Sequence, residues 1–240
     1  MRLQLEEVSF RYPRSNRWIL KDLSATFEPG KLNAVIGLNG AGKTTLFDII
    51  AGALPRPDGV LGAPSPERIV YQLQSVPLFN TLKGKDLVRL LMNIDHGATP
   101  SVGGFPHRLG LNERENALFE RLWSTRLGAM SVGERRWLVT TCISSMDRDL
   151  YLFDEPTANV DPEARIRILF RLGKLAQREN TIVIMSTHHL HELQYVDSMV
   201  YLLHEGRIRF QGPYEAFVNQ VDGEPHQNPD QIFHRLIEDT

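Results

Sequence analysis

At 240 residues the chain is longer than an average domain and short of two comfortable ones, which leaves room for one main core with an inserted or appended lobe. Lys and Arg number 27 and Asp and Glu 29, a net charge of −2, so composition indicates no broad basic face for nucleic acid, and any bound phosphate must be held by local geometry. Apolar residues at 42% and charged residues at 23% describe an ordinary globular chain and exclude disorder, collagen-like sequence and low complexity.

Residues 2–8 alternate apolar and polar side chains and soon meet two carboxylates, Glu6 and Glu7, so they are expected to form the first strand of a mature chain rather than a secretory signal. Residues 19–27 alternate in the same way, and the turn signal Glu28-Pro29-Gly30 leads to 32–36, which predicts antiparallel strands feeding a buried one. A glycine-rich turn, 37–42, precedes helical spacing over 43–52. The proline-rich stretch 55–66 is expected to be a surface connection before a short strand at 68–72. Helical patterns at 85–94 and 113–123, split by the Gly- and Pro-rich stretch 97–106, predict a mostly helical lobe over 75–130 inserted into an α/β core. A helix is then expected at 133–146, a strand at 150–153, a long amphipathic helix at 162–178 and a strand at 181–186. Strands alternating with helices of that length imply a largely parallel sheet covered on both faces. The tail, 213–240, has helical patterns at 214–221 and 231–239, and no internal repeat is present. The most apolar runs, 181–185 and 199–203, fall far short of the roughly 20 residues a membrane-spanning helix needs. Cys142 is the single cysteine; it excludes an internal disulfide and a cysteine-only metal site and makes the reducing cytoplasm the default compartment.

Gly37-Leu38-Asn39-Gly40-Ala41-Gly42-Lys43-Thr44 fits the P-loop pattern and lies between a predicted strand and a predicted helix, as its mechanism requires. The glycines let backbone N–H groups turn inward around phosphate oxygens, and the helix N-terminus adds its positive end. Lys43 is expected to reach the β- and γ-phosphates and Thr44 to offer a hydroxyl to Mg²⁺, within a cradle running from Asn39 and Gly40 through Ala41 and Gly42 to Thr45. About a hundred residues on, Leu150-Tyr151-Leu152-Phe153-Asp154-Glu155 is a buried strand ending in two carboxylates, which is costly unless something charged meets them. Mg²⁺ suits Asp154, and Glu155 then serves as general base or water-orienting residue for attack on the γ-phosphate. Together the two motifs indicate a nucleotide triphosphatase with a P-loop α/β core.

From about residue 2 to 212 the sequence resembles the ATP-binding subunits of ABC transporters. Phe10-Arg11-Tyr12-Pro13 is similar to the family loop whose aromatic residue stacks on adenine, which implies Tyr12, with Phe10 or Trp18 able to substitute. Gln74 falls where the family places a glutamine contacting Mg²⁺ and water; Gln72 is the competing choice. Met130-Ser131-Val132-Gly133-Glu134 resembles the signature, usually Leu-Ser-Gly-Gly-Gln, and keeps the serine and second glycine that the family turns toward the γ-phosphate of the opposite subunit. A capping serine before the following helix is the plainer reading of Ser131. Ala158-Asn159-Val160-Asp161 resembles the loop whose aspartate reaches across the dimer, and Ser186-Thr187-His188 the element whose histidine contacts the γ-phosphate and holds the water of Glu155. His189 and His191 beside His188 are not expected to bind metal. Asp197, the strand 199–203, Gly206-Arg207-Ile208 and Gly212 resemble the family's closing hairpin.

The resemblance implies a P-loop core at 1–74 and 131–212 with a mainly parallel sheet and an N-terminal antiparallel β subdomain, a helical lobe at 75–130 and a tail at 213–240. It implies ATP and Mg²⁺ as ligands and two such domains, as homodimer or heterodimer, clamped head to tail around two ATP molecules. A separate transmembrane subunit is expected to dock near Gln74 and residues 75–95, which holds the chain peripherally on the cytoplasmic side of a membrane. The short lobe and the run from Thr187 to Leu193 look most like exporter-type subunits. A non-transport relative acting as a soluble scaffold or assembly factor is the alternative.

Overall fold

The alternating segments at the start of the chain form an antiparallel pair, β1 (Leu3–Phe10) and β2 (Leu20–Phe27), with Leu3 opposite Phe27 and Leu5 opposite Ala25. The computed structural model describes residues 2–74, 78–94, 109–219 and 229–238. β4 (Val60–Leu61) pairs with the other side of β1, so the proline-rich connection also supplies the third strand of this small sheet, a pairing that two residues are too few to announce in sequence.

The second sheet has six strands: β3 (Leu32–Ile36), β5 (Ile69–Gln72), β6 (Leu150–Phe153), β7 (Ile182–Thr187), β8 (Ser198–His204) and β9 (Arg207–Pro213). Their order is β5-β6-β7-β3-β8-β9. The first five run parallel, and β9 returns antiparallel to β8 as the expected hairpin. β3 and β6 are buried at every position, as befits strands covered on both faces. On one face Val35, Leu150, Leu152, Ile182, Ile184, Tyr201 and Leu203 share a core with α1 (Lys43–Ala51), through Leu46, Phe47, Ile49 and Ile50, and with the inward residues of the small sheet.

Two compact units are present, Met1–Leu73 with Arg148–Pro156 and Leu172–Thr240, and Gln74–Asp147 with Thr157–Arg171. The first holds both sheets. It also holds the short helix α6 (Tyr214–Val218), which packs on β8 and β9, and α7 (Pro229–Glu238), which packs on a 3₁₀ segment at Leu190–Tyr195. Residues 220–221 and 239 of the expected tail helices lie outside the described residues, as does the whole 97–106 stretch.

The second unit contains α2 (Gly84–Ile94), α3 (Glu113–Ser124), α4 (Val132–Ser144) and the beginning of α5 (Pro162–Ala176). It is larger than the lobe expected at 75–130. The reason is packing: α4 touches both α2 and α3, so the helix following residue 130 belongs with the lobe rather than with the sheets. Cys142, on α4, is fully buried, and burial pushes its thiol up to about 12 against the opposing pull of Arg171, which leaves it unreactive.

One buried polar group ties the first unit together. Asn33, in the middle of β3, donates from Nδ2 to the carbonyls of Val183 (3.0 Å), Glu28 (3.1 Å) and Lys31 (3.3 Å). Its Oδ1 lies 3.0 Å from the Tyr201 hydroxyl, which also reaches Thr26 O on β2 at 2.6 Å and so bridges the two sheets. The rings of Tyr201 and Phe27 pack 4.5 Å apart beside it. Tyr201→Phe removes the one phenolic proton that Thr26 O and Asn33 Oδ1 share and should lower stability by about 1–3 kcal/mol, read from denaturant unfolding, with the fold retained.

Candidate functional site

Strand β3 ends at Ile36, and the glycine-rich turn delivers the chain into α1. Gly40 (φ 80°) and Gly42 (φ 109°) adopt left-handed backbone that a residue with a Cβ rarely takes, and Gly42 is the N-cap of α1. The N-terminus of α1 is thereby left open to an anion. Lys43, 6% exposed, donates from Nζ to the carbonyls of Gly37 (2.7 Å) and Leu38 (3.2 Å) and stands 3.9 Å from Glu155 Oε1. Burial pulls its ammonium below the ordinary range, and the carboxylates of Glu155 and Asp154 offset part of that. The sequence placed Lys43 on phosphate; the structure shows which groups hold it otherwise, the carbonyls of its own loop.

Parallel registration brings the ends of β6 and β7 level. Phe153 pairs with Met185, so the next residues, Asp154 and Ser186, lie side by side. Thr44 Oγ1 donates to Asp154 Oδ2 (2.8 Å), and Ser186 Oγ donates to Asp154 Oδ1 (2.5 Å), so both oxygens of a carboxylate only 3% exposed are met. The hydroxyl and carboxylate are oxygen donors of the kind a hard divalent cation takes. Glu155, 8% exposed, places Oε1 3.2 Å from His188 Nδ1, and its N–H donates to Ser186 Oγ (2.8 Å). Thr44, Lys43, Asp154, Glu155 and His188, separated by up to 145 positions in sequence, thus form one continuous polar cluster at the carboxyl ends of three strands.

Two further residues steady the histidine. Thr187 Oγ1 donates to the buried carboxylate of Glu192 (2.5 Å) and accepts from His189 N–H (3.0 Å), which pins the backbone on both sides of His188. The rings of His188 and His189 lie 4.1 Å apart, and His191 turns instead to Asp230 of α7 (3.2 Å). Sequence reasoning passed over Ser186 and Glu192 as participants. The available signals were a hydroxyl pair ending an otherwise apolar strand, and an acid lying between the buried Leu190 and Leu193.

Tyr12 is half-exposed, with its hydroxyl 3.1 Å from Thr45 Oγ1 and its ring edge-on to Phe10 at 5.2 Å. Trp18 stacks under the Arg11 guanidinium (5.1 Å) and lines a cavity of about 310 Å³ that also touches Gly40 and Ala41. Both aromatics therefore flank the P-loop. Gln72 is buried in β5, with its carbonyl accepting from Asp154 N–H (2.9 Å), whereas Gln74 lies beyond the strand and is exposed.

Gln74, Ser131, Gly133 and Asp161 belong to the second unit. Ser131 is the N-cap of α4: its side chain accepts from Glu134 N–H (3.1 Å), while Glu134 Oε2 accepts from Ser131 N–H (2.8 Å). This reciprocal box is the capping role the plainer reading foresaw. Glu134, which stands where the family pattern has glutamine, also pairs with Arg121. Burial raises its carboxyl, but Arg121 and the Ser131 amide outweigh that and hold it below the usual carboxylate range. Asp161 Oδ1 accepts from Ala164 N–H (3.0 Å) and starts α5, while its Oδ2 would stand 2.7 Å from a Cβ placed at Gly133. A side chain at 133 would collide there and with Ala164, so close packing within this unit dictates the glycine.

Residues 20–158 match the family model described as ABC transporter. The energy-coupling factor transporter ATP-binding protein EcfA1 of Thermotoga maritima is 30% identical over 236 residues, covering 92% of this chain and 85% of the relative. The Nod factor export ATP-binding protein I of Burkholderia lata is 30% identical over 218 residues, 87% of this chain and 70% of that one. A solved structure described as the ATP binding subunit of an ABC transporter superposes with a TM-score of 0.79 over 98% of this chain and 99% of its own; at 24% identity that likeness shows the fold.

Ser131→Ala should cost about 1 kcal/mol in unfolding experiments, whereas Ser131→Asp, which retains a capping oxygen, should stay near the parent value. Because the folded carboxyl of Glu134 titrates below its unfolded value, the stability it contributes should be present above the ordinary carboxylate range and fade as pH falls through the lowered value.

Proposed function

Because this chain belongs to the ABC transporter family of ATP-binding, ATP-hydrolysing subunits, we propose that its first unit carries one MgATP site and that two such chains close on one another to drive a membrane partner. The reading rests above all on one observation, the meeting of a P-loop lysine, a Thr44–Asp154 pair and a Glu155–His188 pair at the ends of parallel strands. In this reading the backbone amides from Asn39 through Gly40, Ala41, Gly42 and Lys43 to Thr45 cradle the phosphates. Lys43 leaves the Gly37 and Leu38 carbonyls for the β- and γ-phosphates, exchanging two neutral acceptors for charged ones. Thr44 and Asp154 would hold Mg²⁺, which when bound would neutralise charge on the phosphates. Glu155 takes a proton from the attacking water, and His188, within hydrogen-bonding distance of it, keeps that water and the γ-phosphate in register. Tyr12 faces adenine; Trp18, on the cavity beside Gly40, is the alternative platform.

Ser131 and Gly133, at the N-terminus of α4, and Asp161 serve the nucleotide of the opposite subunit. Those contacts exist only in the closed pair and require a γ-phosphate, so ATP gains a differential affinity for the closed state that ADP lacks, which is what shifts the population. A separate transmembrane subunit receives the motion along the stretch that follows Gln74 and keeps the chain peripheral on the cytoplasmic side of the membrane. Among the described residues no helix is long and apolar enough to cross a membrane. The two relatives named above are an export subunit and an energy-coupling factor subunit, so they do not distinguish the exporter subtype expected from the sequence.

Lys43→Ala should weaken MgATP binding by about 10- to 100-fold in an equilibrium titration, the worth of a charge-assisted contact, and an unchanged affinity would refute the phosphate role. Glu155→Gln should lower kcat by about 10²- to 10⁴-fold while ATP still binds, so that an ATP-bound dimer accumulates and is seen by light scattering; wild-type turnover in this variant would remove Glu155 as the base.

A further inference from the structure

Ser186 stands one position from the end of a strand whose preceding residues, Ile182, Val183, Ile184 and Met185, are all apolar and fully buried. A hydroxyl in that setting is expensive unless both its donor and its acceptor capacity are used, and here both are. The proton goes to Asp154 Oδ1 (2.5 Å) and a lone pair receives Glu155 N–H (2.8 Å), so one side chain grips the side chain of the first acid and the backbone of the second. The second grip falls on an unusual place. Glu155 has φ 45°, left-handed backbone that residues with a Cβ seldom adopt and that persists only where surrounding bonds over-determine it. The N–H that Ser186 accepts belongs to that same residue, and the orientation of this peptide sets the direction in which the Glu155 carboxylate leaves the chain toward His188 Nδ1 at 3.2 Å and Lys43 Nζ at 3.9 Å.

We infer that Ser186 is a positioning residue for ATP hydrolysis, its hydroxyl locking the Asp154 carboxylate and the left-handed Glu155 backbone together so that the Glu155 carboxylate stays in place for the attacking water. This rests on the reading of Glu155 as general base. Ser186 touches no reacting atom. Its effect passes through Glu155, and the affinity for nucleotide, which depends on the P-loop, is left to Lys43 and the backbone amides. The neighbouring hydroxyl, Thr187, is committed to Glu192 and the His189 amide, so it does not stand in for Ser186.

The test is steady-state MgATP hydrolysis by the full-length protein bearing Ser186→Ala, Ser186→Thr or Glu155→Gln, with ATP affinity and thermal midpoint measured on each. A geometric role predicts that Ser186→Ala loses about tenfold or more in kcat with KM and ATP affinity within about threefold of the parent, and that Ser186→Thr, which keeps the hydroxyl, recovers most of the rate. Turnover of Ser186→Ala within about twofold of the parent overturns the inference. So does a parallel fall of kcat, ATP affinity and thermal midpoint that Ser186→Thr does not rescue, because that is the pattern of a purely structural hydroxyl. If Ser186→Ala cannot be isolated folded, the Ser186→Thr and Ser186→Cys pair decides, since cysteine offers a poor donor at similar size; equal kcat in the two overturns the inference and a slower Ser186→Cys supports it. Glu155→Gln separates the two levels. If it keeps wild-type turnover the base assignment fails, whereas if it is inactive and Ser186→Ala is fully active only the positioning role fails.

Discussion

Two carboxylates at the end of a buried strand are the constraint around which the first unit is arranged. Asp154 and Glu155 are nearly removed from solvent, and an ionised acid in such a place is tolerated only when charges or donors meet it. Every neighbouring element contributes one. α1 offers Thr44 and Lys43, β7 offers Ser186, and the loop beyond β7 offers His188. These groups do not come together by chance, because parallel strands place all their carboxyl ends on one edge of the sheet, where loops converge and helix N-termini point. The groups that meet the acids at rest include Lys43 and Thr44, the two that the proposed reading assigns to phosphate and Mg²⁺.

The lysine illustrates that economy. Resting on the carbonyls of Gly37 and Leu38, it is neither unsatisfied nor committed, since neutral carbonyls are weaker acceptors than phosphate oxygens. The P-loop therefore holds its own cation in reserve. Burial biases Lys43 against its charge, and the two acids offset part of that bias.

The second unit solves a different problem with local means. Helix α4 begins at a reciprocal Ser131–Glu134 cap, and the departure from the usual glutamine at 134 is taken up by an ion pair with Arg121. Gly133 leaves room for Asp161 and Ala164, so the start of α4 and the start of α5 pack as one piece. Two loops that the family resemblance singles out thus lie packed against each other within this unit.

Much of this was legible in the amino-acid sequence, for an identifiable reason. The P-loop and the helical capping serine are local devices whose spacing reflects bonds made within a few residues, the acidic strand end stands out as two charges closing an apolar run, and strand and helix periods reveal which faces are buried. The sequence by itself therefore determined the α/β core and the ATPase family, and it marked Lys43, Thr44, Asp154, Glu155 and, through the family resemblance, His188 as candidates. Contacts between distant segments were not legible. That Ser186 would grip both Asp154 and Glu155, that Tyr201 would bridge Asn33 and Thr26, and that α4 would pack with α2 and α3 were decided by strand register and helix packing. A serine and a tyrosine read as ordinary letters until the pairing of β6 with β7 and of β3 with β8 fixes which residues stand level, and a shift of one position in that pairing would have sent each side chain to the other face.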